Sequence, residues 1–350
     1  MPQVSVLVTH RKALWERQDK KYSTHPKPGR NSGFARQISE DRASHKLLRT
    51  PKVLPQVLPI CCPFCQKTAV ISSRQISQKV QMRRTILITG ASSGIGRVTA
   101  QLFQRRGWNT AATMRSPGKA SDWPAHENLF LARLDVTEPD SVQKAIRDTL
   151  GRFGTIEAIV NNAGYGLVGP FEASTSEQIE RQIRTNLIGV MNVVREILPI
   201  FRRQGGGTIV NVSSVGGRIT FPLYSAYHAT KWGLEGFSEA LQFELRPLNI
   251  RVKIIEPGPI KTDFYDRSMD LMKKPGLTAY DDFVAKAMPN LQKAGETAPG
   301  PKVVGRVIYK AVTDNSWKLR YAANGALFLA LRRLFPESWF RAIVARAVVR

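Results

Sequence analysis

The stretch that most restricts what this chain can become is Thr85-Ile-Leu-Ile-Thr89 followed by Gly90-Ala-Ser-Ser-Gly94-Ile-Gly96. The first piece is a short apolar run rich in β-branched residues, ended by glycine, and reads as a buried strand. From Gly94 to Arg106 a helical pattern takes over, with Ile95, Val98, Leu102 and Phe103 on one side. Between the two, small residues at G-x-x-x-G-x-G spacing let the backbone turn sharply and approach a ligand closely. The amino end of the helix then offers unpaired N–H groups and a partial positive charge, which suits a diphosphate.

The same alternation continues. Residues 109–113, 129–134, 156–160, 207–212 and 250–255 read as strands, and residues 138–150, 176–203 and 225–246 as helices. Apolar strands separated by helices imply an α/β fold, a parallel sheet covered on both faces. Right-handed crossovers make it doubly wound (a Rossmann fold), with ligands at the carboxyl ends of the strands. Residues 82–258 read as a dinucleotide-binding catalytic core. Residues 259–350 read as a substrate lid, with a helix at 303–312, a last strand near 319–321 and a terminal amphipathic helix. Residues 1–81 lack any periodic element and read as a basic, disordered extension.

The formal net charge is +25, but residues 1–81 hold +11 of it in fifteen basic and four acidic residues. The rest is spread over the folded pattern without a long basic run, so no specific nucleic acid is expected as a partner. All three cysteines, Cys61, Cys62 and Cys65, lie in that extension. Cys62-Pro-Phe-Cys65 has the spacing of half a zinc site, yet no second ligand pair follows; no metal site is expected. No apolar run approaches the roughly 20 residues that cross a bilayer, so a cytoplasmic location is expected. The basic, acid-poor extension leaves organellar targeting open, beside a plain tail or an upstream read-through with Met82 as the natural start, which is preferred. The stretch 327–349 alternates apolar clusters with Arg332, Arg333, Arg341 and Arg346. It packs on its own domain or makes peripheral contact with an anionic membrane.

Polar residues follow several strands: Asp135-Val136, Asn161-Asn162-Ala163-Gly164 and Ser213-Ser214. Each alone reads as turn chemistry; three on one edge of one sheet read as a site. Tyr227-His-Ala-Thr-Lys231 is more telling, because a separation of four puts the phenol and the ammonium on one helical face. A phenol titrates near pH 10, too high for proton transfer at neutrality, and a cation within about 4–6 Å lowers that value. Ser214, ahead of the same helix, has a hydroxyl suited to holding a substrate oxygen.

Over roughly residues 84–325 these motifs, in this order and separation, make the chain similar to the short-chain dehydrogenases/reductases. The carriers are Thr89 to Gly96, Asp135, Asn161 to Gly164, Asn186 within Thr-Asn-Leu-Ile-Gly, Ser214, Tyr227-x-x-x-Lys231 and Pro257-Gly258-Pro-Ile-Lys-Thr262. The resemblance implies Tyr227 as general acid in carbonyl reduction and general base in alcohol oxidation. It implies that Lys231 lowers the phenol's pKa and binds the nicotinamide ribose. Ser214 would orient the substrate oxygen, and Asn186 would hold a water that links Lys231 to solvent. It further implies cofactor contacts at Gly90, Ser92, Ser93, Gly94, Ile95 and Gly96, and at Asp135 and Val136 near the adenine. Asn162, Ala163 and Gly164 would lie on the adenosine side, and Pro257, Gly258, Ile260 and Thr262 beside the nicotinamide.

After the second strand an NAD site of this type places an acid on the ribose 2′-hydroxyl. Here stands Arg115, whose donor fork suits a 2′-phosphate, so NADP(H) is preferred and NAD(H) possible. Tyr165, Leu167, Phe171, Phe221, Tyr224, Phe264 and Tyr265 give the expected pocket an apolar character, or are simply core. An apolar carbonyl or alcohol as substrate, in the manner of the hydroxysteroid, retinol and acyl-ketone reductase branch, is the implied use. A homodimer or homotetramer through the helices 176–203 and 225–246 is also implied. The rival reading is a non-catalytic module that senses NADP(H) with the same fold.

Overall fold

The computed structural model describes residues 83–120, 122–262 and 269–349. The expected N-terminal extension and its cysteines lie outside the described residues, as do Phe264 and Tyr265. The strands are β1 (Thr85–Ile88), β2 (Asn109–Met114), β3 (Leu129–Arg133), β4 (Ala158–Asn161), β5 (Gly166–Val168), β6 (Gly207–Val212), β7 (Ile250–Pro257), β8 (Met269–Leu271) and β9 (Arg320–Ala323). The helices are α1 (Gly94–Arg105), α2 (Pro139–Phe153), α3 (Ser176–Ile183), α4 (Gly189–Gln204), α5 (Ser225–Leu245), α6 (Asp281–Glu296), α7 (Lys302–Thr313), α8 (Ala326–Leu334) and α9 (Glu337–Val348).

Seven strands form one parallel sheet in the order β3-β2-β1-β4-β6-β7-β9. Parallel pairing requires a crossover between neighbours, and the crossovers cover both faces. The side chains of β1 show the consequence, since Ile86, Leu87 and Ile88 are all fully buried. Alternation along the strand sends them to opposite cores. Ile86 and Ile88 join Phe103 of α1 and Ile308 of α7, whereas Leu87 joins Ile146 of α2, Ile197 and Phe201 of α4, and Leu234 of α5. Burying each such side chain contributes about 1.5–3 kcal/mol, which fixes the register of the sheet.

Strand order reverses between β1 and β4, and such a switch point opens a crevice at the carboxyl ends. Ile88 is level with Ala112 on one side and Val160 on the other, and Val160 with Val210. The turns after β1, β2, β4 and β6 therefore emerge on one rim.

Several elements depart from the sequence reading. The helical stretch 176–203 is interrupted by a π-helical segment, Arg184–Ile188, centred on Asn186. The terminal helix is two helices, broken at Phe335-Pro336, where proline cannot continue the turn. Residues 259–350 also contain the helix α6, with Pro289 inside it, and, unforeseen, the strand β8, which pairs with β5 in a separate two-stranded parallel sheet. Three-residue strands carry too few residues to show a period, which is why they were invisible. Among the described residues no helix is long and apolar enough to cross a membrane, and no cluster of three or more His, Cys, Asp or Glu could hold a metal ion.

Candidate active site

The turn after β1 is built for close approach. Gly90 and Gly94 have φ of 65° and 53°, the left-handed region that a side chain makes costly. A Cβ on Gly96 would stand 2.2 Å from the Gly90 carbonyl oxygen and 2.5 Å from Asn162 Nδ2. The turn is held from behind, because Asn162 Nδ2 donates to the carbonyls of Thr89 and Gly90 at 3.1 and 3.0 Å. Thr89 Oγ1 in return accepts from the backbone N–H groups of Asn162 and Ala163. At the start of α1, Ser93 makes no side-chain cap and the first turn carries no acid. The leading N–H groups of Gly94, Ile95 and Gly96, with Ser92 in the turn before them, thus present an uncapped positive end. This cradle fits a dinucleotide's diphosphate.

The flanking positions fall on the same rim. Arg115 is exposed at the end of β2. Asp135 Oδ1 accepts from the backbone and hydroxyl of Thr137 at 2.9 and 2.7 Å, folding the chain after β3 into a tight turn. Val136 is buried, its carbonyl accepting from Asn192 of α4. Beyond β7, the Gly258 N–H donates to Ala323, and a Cβ there would meet the Asn324 carbonyl at 2.1 Å. That crowding locks Pro257-Gly258 against the end of β9. Ile260 is anchored in the core, and Thr262 comes within van der Waals reach of where a Cβ on Gly94 would be, at 3.7 Å. The two ends of the cradle face each other.

Tyr227 and Lys231 lie on the first turns of α5. Lys231 does not reach for bulk water: it is 7% exposed, its Nζ donates to the carbonyl of Val212 at the end of β6 (2.9 Å) and sits 5.7 Å from the centre of the Tyr227 ring. Burial pulls the ammonium down to about 8, opposed by the carboxylate of Glu235. Ser214 opens the turn after β6 in extended conformation, its Oγ accepting from the Gly216 N–H at 3.0 Å. Asn186, 1% exposed, clamps Tyr165 by accepting from its N–H (3.1 Å) and donating to its carbonyl (2.8 Å), and Nδ2 approaches Thr230 Oγ1 at 3.5 Å. The π turn that carries it breaks the regular hydrogen-bond ladder of the helix, a feature common at functional sites. Gly164 packs directly on this amide, because a Cβ there would meet Asn186 Oδ1 at 3.1 Å.

Two residues in this region carried no role in the sequence reading. His228 is buried, with Nδ1 2.7 Å from the Gly216 carbonyl and Nε2 accepting from the Phe221 N–H at 2.8 Å. These bonds assign a neutral imidazole protonated on Nδ1, and burial lowers its pKa. It thereby fastens the loop between Ser214 and Tyr227 to their helix. Gln182 of α3, fully buried, likewise holds the backbone of Tyr165 and Leu167. Neither has a sequence signal, since a lone His or Gln is ordinary in a helix. Of the expected pocket residues, Leu167 and Tyr224 belong to apolar clusters, Phe171 is 58% exposed, and Tyr165 shares its hydroxyl with Arg181 at 3.3 Å.

The short chain dehydrogenase family model matches residues 84–271. An uncharacterized oxidoreductase of Schizosaccharomyces pombe is 38% identical over 231 residues, 65% of this chain and 97% of that protein. The 3-ketodihydrosphingosine reductase of Bacteroides thetaiotaomicron is 35% identical over 231 residues, 65% of this chain and 82% of that one. Among solved structures, a short-chain dehydrogenase from Streptomyces avermitilis superposes with a TM-score of 0.64 at 30% identity, covering 75% of this chain and 95% of that one. A strand–glycine–helix cradle and a tyrosine–lysine pair on one sheet rim thus belong with its sequence relatives: the chain is a member of the short-chain dehydrogenase family and an NAD(P)-dependent oxidoreductase.

Proposed function

We propose that the chain interconverts a carbonyl and an alcohol on an apolar substrate with NADP(H), Tyr227 being the proton donor and acceptor. The observation that carries this is the buried Lys231 beside the Tyr227 ring at the carboxyl end of β6. When bound, the nicotinamide supplies or accepts the hydride, and the protein supplies position and charge. In reduction, the Tyr227 hydroxyl gives its proton to the substrate oxygen as negative charge grows there. In oxidation it takes the proton back. The Lys231 ammonium stabilises the phenolate left behind. Ser214 Oγ, fixed by the Gly216 N–H, orients the substrate oxygen and shares its developing charge. Asn186, in the π turn, keeps open a route by which protons return through Lys231.

In this reading the turn from Gly90 to Gly96 holds the diphosphate. Asp135 and Val136 border the adenine, Asn162, Ala163 and Gly164 support the adenosine side, and Pro257, Gly258, Ile260 and Thr262 line the nicotinamide. Arg115, exposed and without a neighbouring acid on β2, would pair with a 2′-phosphate, which favours NADP(H). Arg115→Asp should move the preference towards NAD(H), and an unchanged ratio of NADPH to NADH efficiencies would defeat the assignment. The reductase relative acts, by its name, on 3-ketodihydrosphingosine, a ketone, so ketones head the substrate panel. NADPH consumption on apolar aldehydes and ketones, compared between wild type and Tyr227→Phe, is the primary test. Turnover that survives Tyr227→Phe would show that the proton comes from elsewhere. Two surface readings accompany the proposal: self-association through α4 and α5, where Trp232 and Phe243 are exposed, checked by sedimentation; and anionic-membrane contact through α8 and α9, where Leu334 and Trp339 are exposed, checked by liposome flotation.

A further inference from the structure

Tyr227, Lys231, Glu235 and Glu239 recur every four residues along α5 and so share one side of the helix. Lys231 and Glu235 are buried, and Glu239 is half exposed. From the last strand of the sheet, Arg320 reaches across this side. Its Nε donates to Glu235 Oε2 at 3.0 Å and its Nη2 to Glu239 Oε2 at 2.6 Å, so one guanidinium spans a helical turn. The Ser213 hydroxyl lies beside the Glu235 carboxylate and lowers its pKa. Glu256 of β7, also buried, lies 3.7 Å from Arg320 Nε and 3.5 Å from Arg218 Nη1. The charged groups around Glu235 are therefore Lys231 and Glu239 on its own helix, Arg320 from β9, Glu256 from β7, and Arg218 from the turn after Ser214.

We infer that Glu235 and Arg320 are positioning residues that hold Lys231 as an ammonium beside Tyr227, through charges that alternate in sign from the active site to the far edge of the sheet. The inference rests on the proton role proposed for Tyr227. Its physical basis is the low dielectric of the region. A buried carboxylate without a cation takes up a proton, and a buried ammonium without an anion gives one up. Burial raises the Glu235 pKa, and the Ser213 hydroxyl, Arg320 and Arg218 oppose the rise. Burial lowers Lys231, and Glu235 opposes the fall. Loss of Arg320 moves Glu235 towards its neutral form, Lys231 then falls further below its ordinary value, and less ammonium remains to stabilise the phenolate of Tyr227. A network that merely fastened β9 to α5 would do none of this.

The test follows the phenolate ultraviolet absorbance of Tyr227 against pH without substrate, each protein measured against its own Tyr227→Phe counterpart. Glu235→Gln and Arg320→Met should each raise the titration midpoint by about one unit. Glu235→Asp, which keeps the charge, should restore it towards wild type. Alcohol oxidation near neutral pH should fall about tenfold for each unit of that shift. If Glu235→Gln or Arg320→Met lowers the thermal midpoint while the phenolate titration stays put, the network is structural and the inference is overturned; either variant suffices should the other not fold. A shifted titration in a protein that consumes no NAD(P)H on any carbonyl would uphold the charge series and reject the catalytic reading.

Discussion

Two lysines are buried among the described residues, and they are buried in opposite ways. Lys253, on β7 and fully inaccessible, sends its Nζ into a nest of oxygens: Asp314 Oδ1 at 3.2 Å, Ser316 Oγ at 3.1 Å, the Ser316 carbonyl, and the Tyr321 hydroxyl at 3.0 Å. The Tyr321 hydroxyl donates to the other Asp314 oxygen at 2.6 Å. Burial would push the Asp314 carboxyl up, but Tyr321, Ser316 and Lys253 outweigh it and hold it down to about 2. Lys231 donates to the Val212 carbonyl and faces a ring and a more distant carboxylate. A lysine whose donors are all answered is a structural rivet. One that is desolvated but incompletely answered keeps its charge for another group, and that unspent field is what a proton-transfer site needs.

The comparison breaks most easily in turnover. Lys231→Met should cut oxidoreductase activity by about 10²–10⁴-fold without lowering the urea midpoint, because a poorly compensated buried charge is removed; full activity in the variant would erase the distinction. Lys253→Met should do the reverse. It takes the charge-assisted hydrogen bonds from Asp314, Ser316 and Tyr321 and should cost about 1.5–3 kcal/mol in urea unfolding, while each folded molecule keeps its turnover. The pH dependence sharpens the contrast further. With Lys231 near 8 in the folded state and 10.5 as its ordinary value, the unfolded chain binds more protons between those pH values. Stability therefore rises with pH across that window, by an amount on the order of 3 kcal/mol, and the rise should vanish when Lys231→Met is subtracted from wild type. The smallest effect concerns the loop that joins the two halves of the site. His228 has a lowered pKa, so its contribution is complete above about 6.5 and is lost as pH falls below that. His228→Gln should cost about 1–2 kcal/mol at pH 7 and flatten the acid side of the stability profile; unfolding curves at pH 7 and 5 that run parallel to wild type would show that the ring bonds carry no weight.

Much of the fold was legible because its signals are local. The strand Gly207–Val212 and the helix starting at Ser225 appear where the pattern puts them, and the glycine spacing after β1 marks a backbone that only small residues can follow. The two-stranded sheet of Gly166–Val168 and Met269–Leu271 was not legible, because its partners lie about a hundred residues apart and each is too short to show a period. The π turn at Asn186 is equally silent in sequence, since one inserted residue in a helical ladder leaves the apolar pattern nearly unchanged. Asn162 illustrates a middle case: its position on the rim was readable, but that its amide holds the carbonyls of Thr89 and Gly90 was not.

Helix and strand periods, which act over a few residues, already settle which groups meet: a phenol and an ammonium one helical turn apart, a glycine bend before a helix, and a series of polar strand ends. The electrostatic surroundings of those groups come from the folded chain. They depend on what burial removes and what distant segments return, and it took β9 to bring Arg320 to Glu235, β7 to pack Glu256 beside them, and the turn after β6 to shut Lys231 away from water. Electrostatic strength is set by the surrounding medium, and the medium is a property of the folded whole.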